Sequence, residues 1–313
     1  MRLKAKALVS GLATYVPGYD HRRPTGGTGS ARYCFSVWLR HLILVRAAGA
    51  LAGVPAVVAE LGPGDSIGIG LAALISGAEQ YYALDLLPYS DLKQNLTIFD
   101  ELVDLFRSRA SLPGEAEFPL LLPKLHTYAF PHEILGASWL DAALAPRRIE
   151  EIRASIELPN RGESRIAYLA PWSDAVPIRD HSLDLIYSQA VLEHVDDLAG
   201  IYRTMHRWLK PGNPMSHQID FRCHGKADAW NGHWTYSDLA WRVVTGRRAY
   251  LLNRAPRSQH IRLLKESGFT VVSEAEARSP SVLRRGDLAR RFRDLSDADL
   301  TTSGTFVVAV ARP

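Results

Sequence analysis

Apolar positions along this chain follow two patterns, short continuous runs and helical repeats. Residues 54–61 are almost uniformly apolar, which indicates a strand buried on both faces of a parallel sheet. Between Tyr33 and Ala48 the apolar residues recur every three or four positions, which predicts an amphipathic helix. The apolar face of that helix needs a partner, so the N-terminal region should pack against the main domain.

The two patterns alternate along most of the chain. Predicted strands lie at 54–61, 80–84, 165–169, 183–188, 216–221, 269–273 and 305–311, and predicted helices lie at 69–77, 92–108, 139–156, 198–209 and 259–267. Strands that alternate with helices in this way predict an α/β fold with a doubly wound, mainly parallel seven-stranded sheet.

One interval breaks the alternation. The stretch between the second and third strands is too long for an ordinary βα connection, and we predict that residues 91–163 form an inserted helical lid. The rest of the chain then divides into an N-terminal arm and helical cap, residues 1–50, and a binding domain made of residues 51–90 and 164–313.

The bulk properties narrow the choice of partners. With 313 residues, 47% of them hydrophobic, the chain suits one large domain with an elaboration. The net charge of +4 comes without a nucleic-acid-binding motif, and no apolar run reaches the ~18 residues of a membrane span. The two cysteines form no zinc-ligand pair. We therefore predict a cytoplasmic protein that binds neither nucleic acid nor membrane and can form a homodimer.

A glycine-rich segment, Glu60 to Gly68, directly follows the first predicted strand and opens a helix. Its glycines allow a tight turn and a close approach to a ligand, and the N–H groups of the helix N-terminus are free to bind one. Asp85 ends the next strand, where a carboxylate can accept hydrogen bonds from both ribose hydroxyls of an adenosine. The two features predict an adenosine-containing cofactor at this edge of the sheet.

Two classes of enzyme share this arrangement. Residues 64–70 also resemble the glycine turn of short-chain dehydrogenases, and Tyr89 and Lys93 have the Tyr-x-x-x-Lys spacing of their catalytic pair. In that family, however, the pair follows the fourth strand, and the glycines lie near the start of the chain. An NAD(P)-dependent dehydrogenase is therefore the alternative prediction.

A second segment favours the other class. Residues 176–195 read Val-Pro-Ile-Arg-Asp-His-Ser-Leu-Asp-Leu-Ile-Tyr-Ser-Gln-Ala-Val-Leu-Glu-His-Val, and residues 208–212 read Trp-Leu-Lys-Pro-Gly. With the glycine segment and Asp85, they resemble the motifs of class I S-adenosylmethionine (SAM)-dependent methyltransferases, most closely the small-molecule group with a type 11 domain. The resemblance covers about half of the chain. It implies a Rossmann-like fold, SAM as the cofactor and methyl transfer as the reaction.

The resemblance assigns four positions to the amino-acid end of the cofactor. Glu60, Gly62 and Gly64 match the loop around the methionine part of SAM. Gln189, which follows the fourth strand, matches a position near the cofactor's amino-acid end.

The adenosine end matches less completely. Asp85 matches the acid that binds the ribose, and Leu86 matches the residue against the adenine. The family often has Asp-Ala, with the acid on the adenine amino group, where this chain has Trp172 and Ser173. Either Asp174 replaces that acid after a shift, or Trp172 stacks on the adenine.

Methyl transfer needs an oriented nucleophile and, for an oxygen nucleophile, a group that accepts its proton. His194, Asp220 and His224 lie at predicted carboxyl ends of strands and are the candidates. No metal-ligand spacing links the histidines, so no metal site is predicted. The large lid favours a small acceptor, such as a sugar or specialised metabolite methylated on oxygen or nitrogen. Besides the dehydrogenase, a catalytically inactive SAM-binding partner subunit is an alternative.

Overall fold

The computed structural model describes residues 4–18, 28–172, 177–248 and 250–313. Its strands are β1 (Val57–Leu61), β2 (Gln80–Leu84), β3 (Ile166–Leu169), β4 (Leu185–Gln189), β5 (Pro214–Asp220), β6 (Phe269–Arg278) and β7 (Thr302–Ala311). They form one sheet in the order β3-β2-β1-β4-β5-β7-β6, in which β7 pairs antiparallel with β5 and β6 and the other pairs are parallel. The predicted seven-stranded, mainly parallel sheet is confirmed.

The α-helices of the described residues flank this sheet. They are α1 (Ala5–Ala13), α2 (Ala31–Ala47), α3 (Gly68–Ile75), α4 (Leu92–Arg107), α5 (Ala137–Ala143), α6 (Pro146–Glu157), α7 (Leu198–Trp208), α8 (Asp238–Thr245), α9 (Arg257–Glu266) and α10 (Asp297–Thr301). Short 3-10 helices lie at Leu192–His194, Gly232–Thr235, Arg285–Asp287 and Arg290–Phe292. Within the described part of the chain, every helix is too short or too polar to cross a membrane.

The helix predicted at residues 139–156 is in fact two helices. Pro146 has no N–H to donate to the preceding turn, but it is well suited to the first position of a helix, so α5 ends and α6 begins there. Helices α8 and α10 were not predicted, because each spans only eight residues or fewer and carries too little periodicity.

Apolar side chains cover both faces of the sheet. Helices α2, α3 and α4 pack on one face and α7 and α9 on the other, with Trp38 and Trp208 buried at the two interfaces. The Ser30 and Asp197 side chains cap the N-termini of α2 and α7 by accepting hydrogen bonds from backbone N–H groups. The fold is therefore doubly wound, as the alternation of strands and helices predicted.

The chain path creates a crevice at the carboxyl edge of the sheet. From β1 the chain runs outward to β2 and β3, and it then returns to β4 on the other side of β1. Such a reversal separates the loops that follow the two neighbouring strands and leaves room for a ligand between them. The glycine loop after β1 and the segment after β4 face each other across this gap.

The long connection between β2 and β3 is only partly a surface feature. Phe130 is buried, stacks on Phe35 and meets Phe106 edge-on, so this part of the connection belongs to the core. Leu122 donates its backbone N–H to the Oε1 atom of Gln218 on β5, at 3.3 Å. The middle of the connection therefore reaches across to the carboxyl end of β5.

Candidate functional site

Two cavities adjoin at the carboxyl edge of the sheet. The β1–β4 cavity, of about 560 Å³, lies between the glycine loop, the end of β2 and the segment after β4. The β5–β7 cavity, of about 610 Å³, lies between the end of β5, the start of β7 and residues 117–122. Both volumes fall within the range of roughly 300–1,000 Å³ that is usual for small-molecule sites.

The glycine loop forms one wall of the β1–β4 cavity. Gly62 and Gly64 have φ angles of +64° and +76°, in the left-handed region that favours glycine. A Cβ atom on Gly62 would lie 2.7 Å from Cγ2 of Val191 on the opposite wall. The loop therefore needs glycine for its turn and for its close approach to the segment after β4.

Asp85 lies beside this loop at the end of β2. The sequence predicted that the glycine loop and Asp85 would lie together at this edge of the sheet. One carboxylate oxygen accepts a hydrogen bond from the Gly64 N–H at 3.1 Å, and the other accepts one from the Leu86 N–H at 2.7 Å. Burial raises the pKa of Asp85 above its ordinary value, and these backbone N–H groups partly oppose that rise. The carboxylate is thus fixed in orientation where it borders the cavity.

The first turn of α3 corrects one expectation. The sequence predicted free N–H groups there, but Ser66 donates to Oγ1 of Thr28 and Ile67 donates to Oδ1 of Asn95, both at 3.1 Å. Gly68 donates to the hydroxyl of Ser66. The chain itself satisfies these three groups at the start of α3, so they are not free to bind a ligand.

Glu60 is not among the residues that line either cavity. Its carboxyl group is buried behind the loop and accepts hydrogen bonds from the hydroxyls of Tyr81, at 2.6 Å, and Tyr187, at 3.3 Å. Burial raises its pKa to about 8. In this structure Glu60 joins strands β1, β2 and β4 through their side chains.

Aromatic residues close the far end of the β1–β4 cavity. Trp172 lines it together with Leu86 and donates its backbone N–H to the Asp85 carbonyl at 3.0 Å. Ser173 and Asp174 lie outside the described residues. The hydroxyls of Tyr89 and Tyr250 share a hydrogen bond at the cavity wall, a contact between residues 161 positions apart that no sequence pattern indicated.

Three residues line both cavities and form the junction between them. They are Tyr33, Gln189 and Ala190. Burial raises the pKa of Tyr33 to about 12, so its phenol stays protonated at neutral pH. The Gln189 amide donates to Oε1 of Gln218, which also accepts from Leu122. Sequence reasoning placed Tyr33 only at the start of a helix and therefore missed its place in the site.

The β5–β7 cavity has mainly apolar walls with charged groups at its edge. Its apolar surface comes from residues 118–122 and from Ile219. Asp220 and Arg222 lie at the end of β5, and Glu117 pairs with Arg32 in a two-point ion pair at 2.6 and 2.7 Å. The sequence predicted Asp220 as a site residue but gave no periodic signal for residues 117–122.

The three candidate proton acceptors lie together. His194 lines the β1–β4 cavity, Asp220 lines the β5–β7 cavity, and Nε2 of His224 lies 3.3 Å from Oδ2 of Asp220. Burial lowers the pKa of His194 to about 4. Burial opposes ionisation of Asp220, but hydrogen bonds from His224 and from the Arg222 backbone hold the pKa of that carboxyl below its ordinary value. At neutral pH the imidazole of His194 is neutral and the carboxyl of Asp220 is charged.

Glu193 also belongs to this group of side chains. Glu193, His194 and His224 each offer one nitrogen or oxygen atom, and these atoms all lie within 4.8 Å of one another. The sequence predicted no metal site because no regular ligand spacing was visible. The structure brings these residues together from the 3-10 helix after β4 and from the loop after β5.

Comparisons with known proteins agree with the motifs. Residues 144–215 match the family model of a methyltransferase domain. No curated protein sequence matches the chain.

Several solved structures are similar to the chain at low identity. A SAM-dependent methyltransferase from Mesorhizobium loti is 17% identical, with 91% of this chain and 100% of that chain covered and a TM-score of 0.39. A SAM-dependent methyltransferase from Methanosarcina mazei is 12% identical, with 85% and 97% covered and a TM-score of 0.44. The [4+2]-cyclase SpnF is 13% identical, with 98% and 92% covered and a TM-score of 0.43.

The domain match and the strand order confirm the resemblance that the sequence motifs indicated and decide between the two cofactor classes. The family model matches a methyltransferase domain rather than a dehydrogenase, and it includes the segment from β4 through α7. The seven-stranded order with β7 antiparallel is the predicted Rossmann-like arrangement. Residues 144–215 therefore match a methyltransferase domain, and the chain is an enzyme that uses SAM.

Proposed function

We propose that this enzyme methylates an oxygen or nitrogen of a small molecule held in the β5–β7 cavity, with SAM held in the β1–β4 cavity. The observation that carries the proposal is the shared wall of Tyr33, Gln189 and Ala190. In-line transfer requires the reacting atoms to lie about 3–3.5 Å apart, and two sites that adjoin at one wall permit such an approach.

The residues of the β1–β4 cavity fit SAM. The backbone of Gly62 and Gly64 can approach its methionine part, since neither residue carries a Cβ atom. The Asp85 carboxylate borders the cavity and can accept hydrogen bonds from the ribose hydroxyls. Leu86 and Trp172 can flank the adenine.

Three further contacts with the cofactor were predicted from the sequence. Gln189 reaches the junction and can contact the amino-acid end of the cofactor. Ser173, which the resemblance also assigns to the cofactor, lies outside the described residues, and Glu60 would act from behind the loop.

When bound, SAM supplies a methyl group that its sulfonium already makes electrophilic. The acceptor atom forms a bond to the methyl carbon, and the carbon–sulfur bond breaks with its electron pair on sulfur. The chain's own residues have to orient the acceptor and take up the proton that it loses. Asp220 is charged at neutral pH and lines the acceptor side, so we assign it as the proton acceptor, held in orientation by His224. His194 lies near Asp220 but lines the β1–β4 cavity, on the cofactor side.

The shape of the β5–β7 cavity supports a small acceptor. Apolar walls with a few charged groups at one edge suit a compact ring or chain that carries some oxygen or nitrogen atoms. Such acceptors include sugars and specialised metabolites. Residues 117–122 form part of the wall of this cavity. A macromolecular substrate would instead need an open cleft.

The test has two steps. Calorimetry measures binding of SAM and of NADP, and an assay of S-adenosylhomocysteine release then screens sugars, phenolic metabolites, small amines, RNA and protein. We expect SAM binding and turnover of a small molecule, reduced at least tenfold in Asp220→Asn and unchanged in His126→Ala, an exposed histidine away from both cavities.

Three outcomes would contradict the proposal. Turnover of RNA or protein alone would refute the small acceptor. SAM binding without turnover of any acceptor would favour the inactive partner subunit. NADP binding without SAM binding would revive the dehydrogenase.

We also propose that the enzyme is cytoplasmic, acts without nucleic acid or a membrane, and can form a homodimer. These points come from composition and from the absence of a binding motif rather than from the site. Light scattering of the purified chain measures the mass in solution. A mass of about 34.7 kDa at all concentrations would exclude the homodimer.

A further inference from the structure

We propose that Glu193, His194 and His224 bind one divalent transition-metal ion, and that this ion holds an oxygen of the acceptor. Its role toward the acceptor rests on the proposed function. The metal site itself does not, since it stands on side chains whose arrangement is independent of any acceptor.

The three side chains already converge. Their ligand atoms lie within 4.8 Å of one another, and atoms bound to one ion at about 2.0–2.2 Å lie roughly 3–3.5 Å apart. The side chain of His224 is 34% exposed and has room to rotate, whereas Glu193 is buried. A modest movement of His224 toward Glu193 and His194 would bring the three ligand atoms to the separations that a bound ion requires.

Three buried atoms of this group have no hydrogen-bond partner among the described residues. These atoms are the two carboxyl oxygens of Glu193 and Nδ1 of His194, and all three are inaccessible to solvent. Glu193 is only 3% exposed. A buried carboxyl group without a partner is destabilising, and such groups in native proteins call for an ion, a water or a function. A metal ion between these atoms would satisfy them.

The neighbouring carboxylate matches the usual support of a metal-bound histidine. Nε2 of His224 faces Oδ2 of Asp220 at 3.3 Å, which leaves Nδ1 for the ion. Metal-binding histidines commonly donate their second ring N–H to a carboxylate in this way. The backbone of His224 has a φ of +46°, an uncommon conformation for a residue with a side chain, and it presents the ring to Asp220 and His194.

The ligand chemistry selects the class of ion. Two imidazoles and one carboxylate suit Zn²⁺, Mn²⁺, Fe²⁺ or Co²⁺, whereas Mg²⁺ and Ca²⁺ prefer oxygen ligands throughout. Three protein ligands leave at least one coordination position open, as in metal sites that bind a substrate. A hydroxyl bound there loses its proton more readily, and the proton passes to Asp220 or to water.

The site also lies where an acceptor oxygen has to be placed. His194 lines the β1–β4 cavity, and Asp220, which faces His224, lines the β5–β7 cavity. An ion among these groups would lie between the proposed positions of cofactor and acceptor.

The test measures metal binding directly on the full chain after dialysis against a chelator. Titration with Co²⁺, followed by its visible absorption, and calorimetry with Zn²⁺ and Mn²⁺ give the stoichiometry and the Kd. We expect one ion per chain, with nitrogen and oxygen ligation in the Co²⁺ spectrum. The variants His224→Asn and Glu193→Gln should weaken binding at least tenfold, while the exposed-histidine control His126→Ala should bind as the unmodified chain does.

Both test variants are chosen to preserve the fold. Asparagine tolerates the left-handed conformation at position 224, and glutamine has the shape and neutrality of a buried protonated glutamic acid. Thermal unfolding and SAM binding of the variants report whether the fold is intact. An intact chain that binds no Co²⁺, Zn²⁺ or Mn²⁺, or intact variants that bind as tightly as the unmodified chain, would overturn the proposal.

The same measurements separate this proposal from the proposed function. Specific metal binding with no turnover of any acceptor would leave the ion in place and refute the assigned reaction. Turnover of a small molecule that persists in chelator, with no metal binding, would refute the ion and keep the reaction.

Discussion

The β1–β4 and β5–β7 cavities share a wall but are built in different ways. One wall of the first is local, with Gly62, Gly64 and Asp85 on two adjacent strands and their loops, although Trp172 and Tyr250 from distant stretches also line it. The second takes its walls from widely separated stretches, residues 117–122, the end of β5 and the start of β7. A ligand that never changes can be bound by a local motif, whereas a specific acceptor needs walls that can vary independently.

The two sides also differ in how their polar groups are satisfied. At the glycine loop, the Asp85 carboxylate and the N–H groups of the two residues that precede α3 are paired within the chain. Between the two cavities, the buried carboxyl oxygens of Glu193 and Nδ1 of His194, a residue that lines the β1–β4 cavity, have no hydrogen-bond partner among the described residues. The glycine-loop side is thus preorganised, whereas the side toward Asp220 has buried groups that a bound ligand can satisfy.

The largest expected effect comes from removing the carboxylate of the preorganised side. Asp85→Ala removes two charge-assisted hydrogen bonds to the ribose, together worth about 3 kcal/mol, so the Kd for SAM should rise roughly 100-fold. Calorimetry measures it, with Asp104→Asn, an exposed carboxylate on α4, as the control. Unchanged SAM affinity would break the assignment of this cavity to the cofactor.

A smaller effect is expected from narrowing the other cavity. Leu120 is 68% exposed and lines the β5–β7 cavity, so Leu120→Trp should leave the fold intact and occupy acceptor space. The KM for the acceptor should rise about tenfold, roughly 1.4 kcal/mol, while the Kd for SAM stays within about twofold. Leu239→Trp, which replaces a similarly exposed leucine on α8, is the matched control. Equal effects on both ligands would show that the cavities are not separate.

Buried ionisable groups distinguish the two sides in a third way. Burial raises the pKa of Glu60, behind the glycine loop, to about 8. Burial, with the charges of His41 and His260, lowers the pKa of His217 on β5 to about 3. The folded chain keeps a proton on Glu60 that the unfolded chain loses near pH 4.5, so stability falls as pH rises from 4.5 to 8. The unfolded chain takes up a proton on His217 near pH 6.5, so stability falls as pH drops from 6.5 toward 3.

Calorimetric unfolding between pH 4 and 8.5 should therefore show a plateau of Tm between about pH 4.5 and 6.5, where the two effects cancel, and a lower Tm on either side. Glu60→Gln should flatten the alkaline side by about 2–4 °C, corresponding to about 1 kcal/mol, because the glutamine does not titrate. His217→Gln should flatten the acid side by a similar amount. If Glu60→Gln changed only the acid side, the burial of its proton in the folded chain would be refuted.

The smallest expected effect concerns the wall formed by two tyrosines. Tyr250→Phe removes the hydroxyl that hydrogen-bonds to Tyr89, a loss of about 0.5–1 kcal/mol. SAM should dissociate about two to five times faster in stopped-flow measurements, with the acceptor KM unaffected. Tyr15→Phe, an exposed tyrosine on the N-terminal segment, serves as the control. A change in acceptor KM without a change in SAM dissociation would move this wall to the acceptor side.

Much of the cofactor side was predictable from the sequence, because its signals are local. A strand, a glycine turn and a helix place Gly62 and Gly64, and a parallel neighbour brings the end of the next strand, Asp85, beside them. The filled N-terminus of α3 was not predictable, since its partners Thr28 and Asn95 lie far away in the sequence.

The acceptor side could not be predicted in the same way. Residues 117–122 carry one proline and no period, so nothing in their sequence indicates that they reach β5 and β7. The histidine at position 224 meets Glu193 only because β4 and β5 are neighbours and both loops turn toward the same point. Contacts of this kind depend on tertiary geometry, which residue spacing does not encode.

The antiparallel strand β7 has a consequence for the order in which the site forms on the ribosome. Every described residue that lines the β1–β4 cavity lies between Thr28 and Tyr250, whereas the β5–β7 cavity also needs Ser303 and Gly304. Synthesis proceeds from the N-terminus, so the residues of the first cavity emerge before those that complete the second. On the proposed assignment of the two cavities, a nascent chain contains every described residue of the cofactor site while its acceptor site is still incomplete, and bound cofactor would then stabilise the partly made domain until its last strand is inserted.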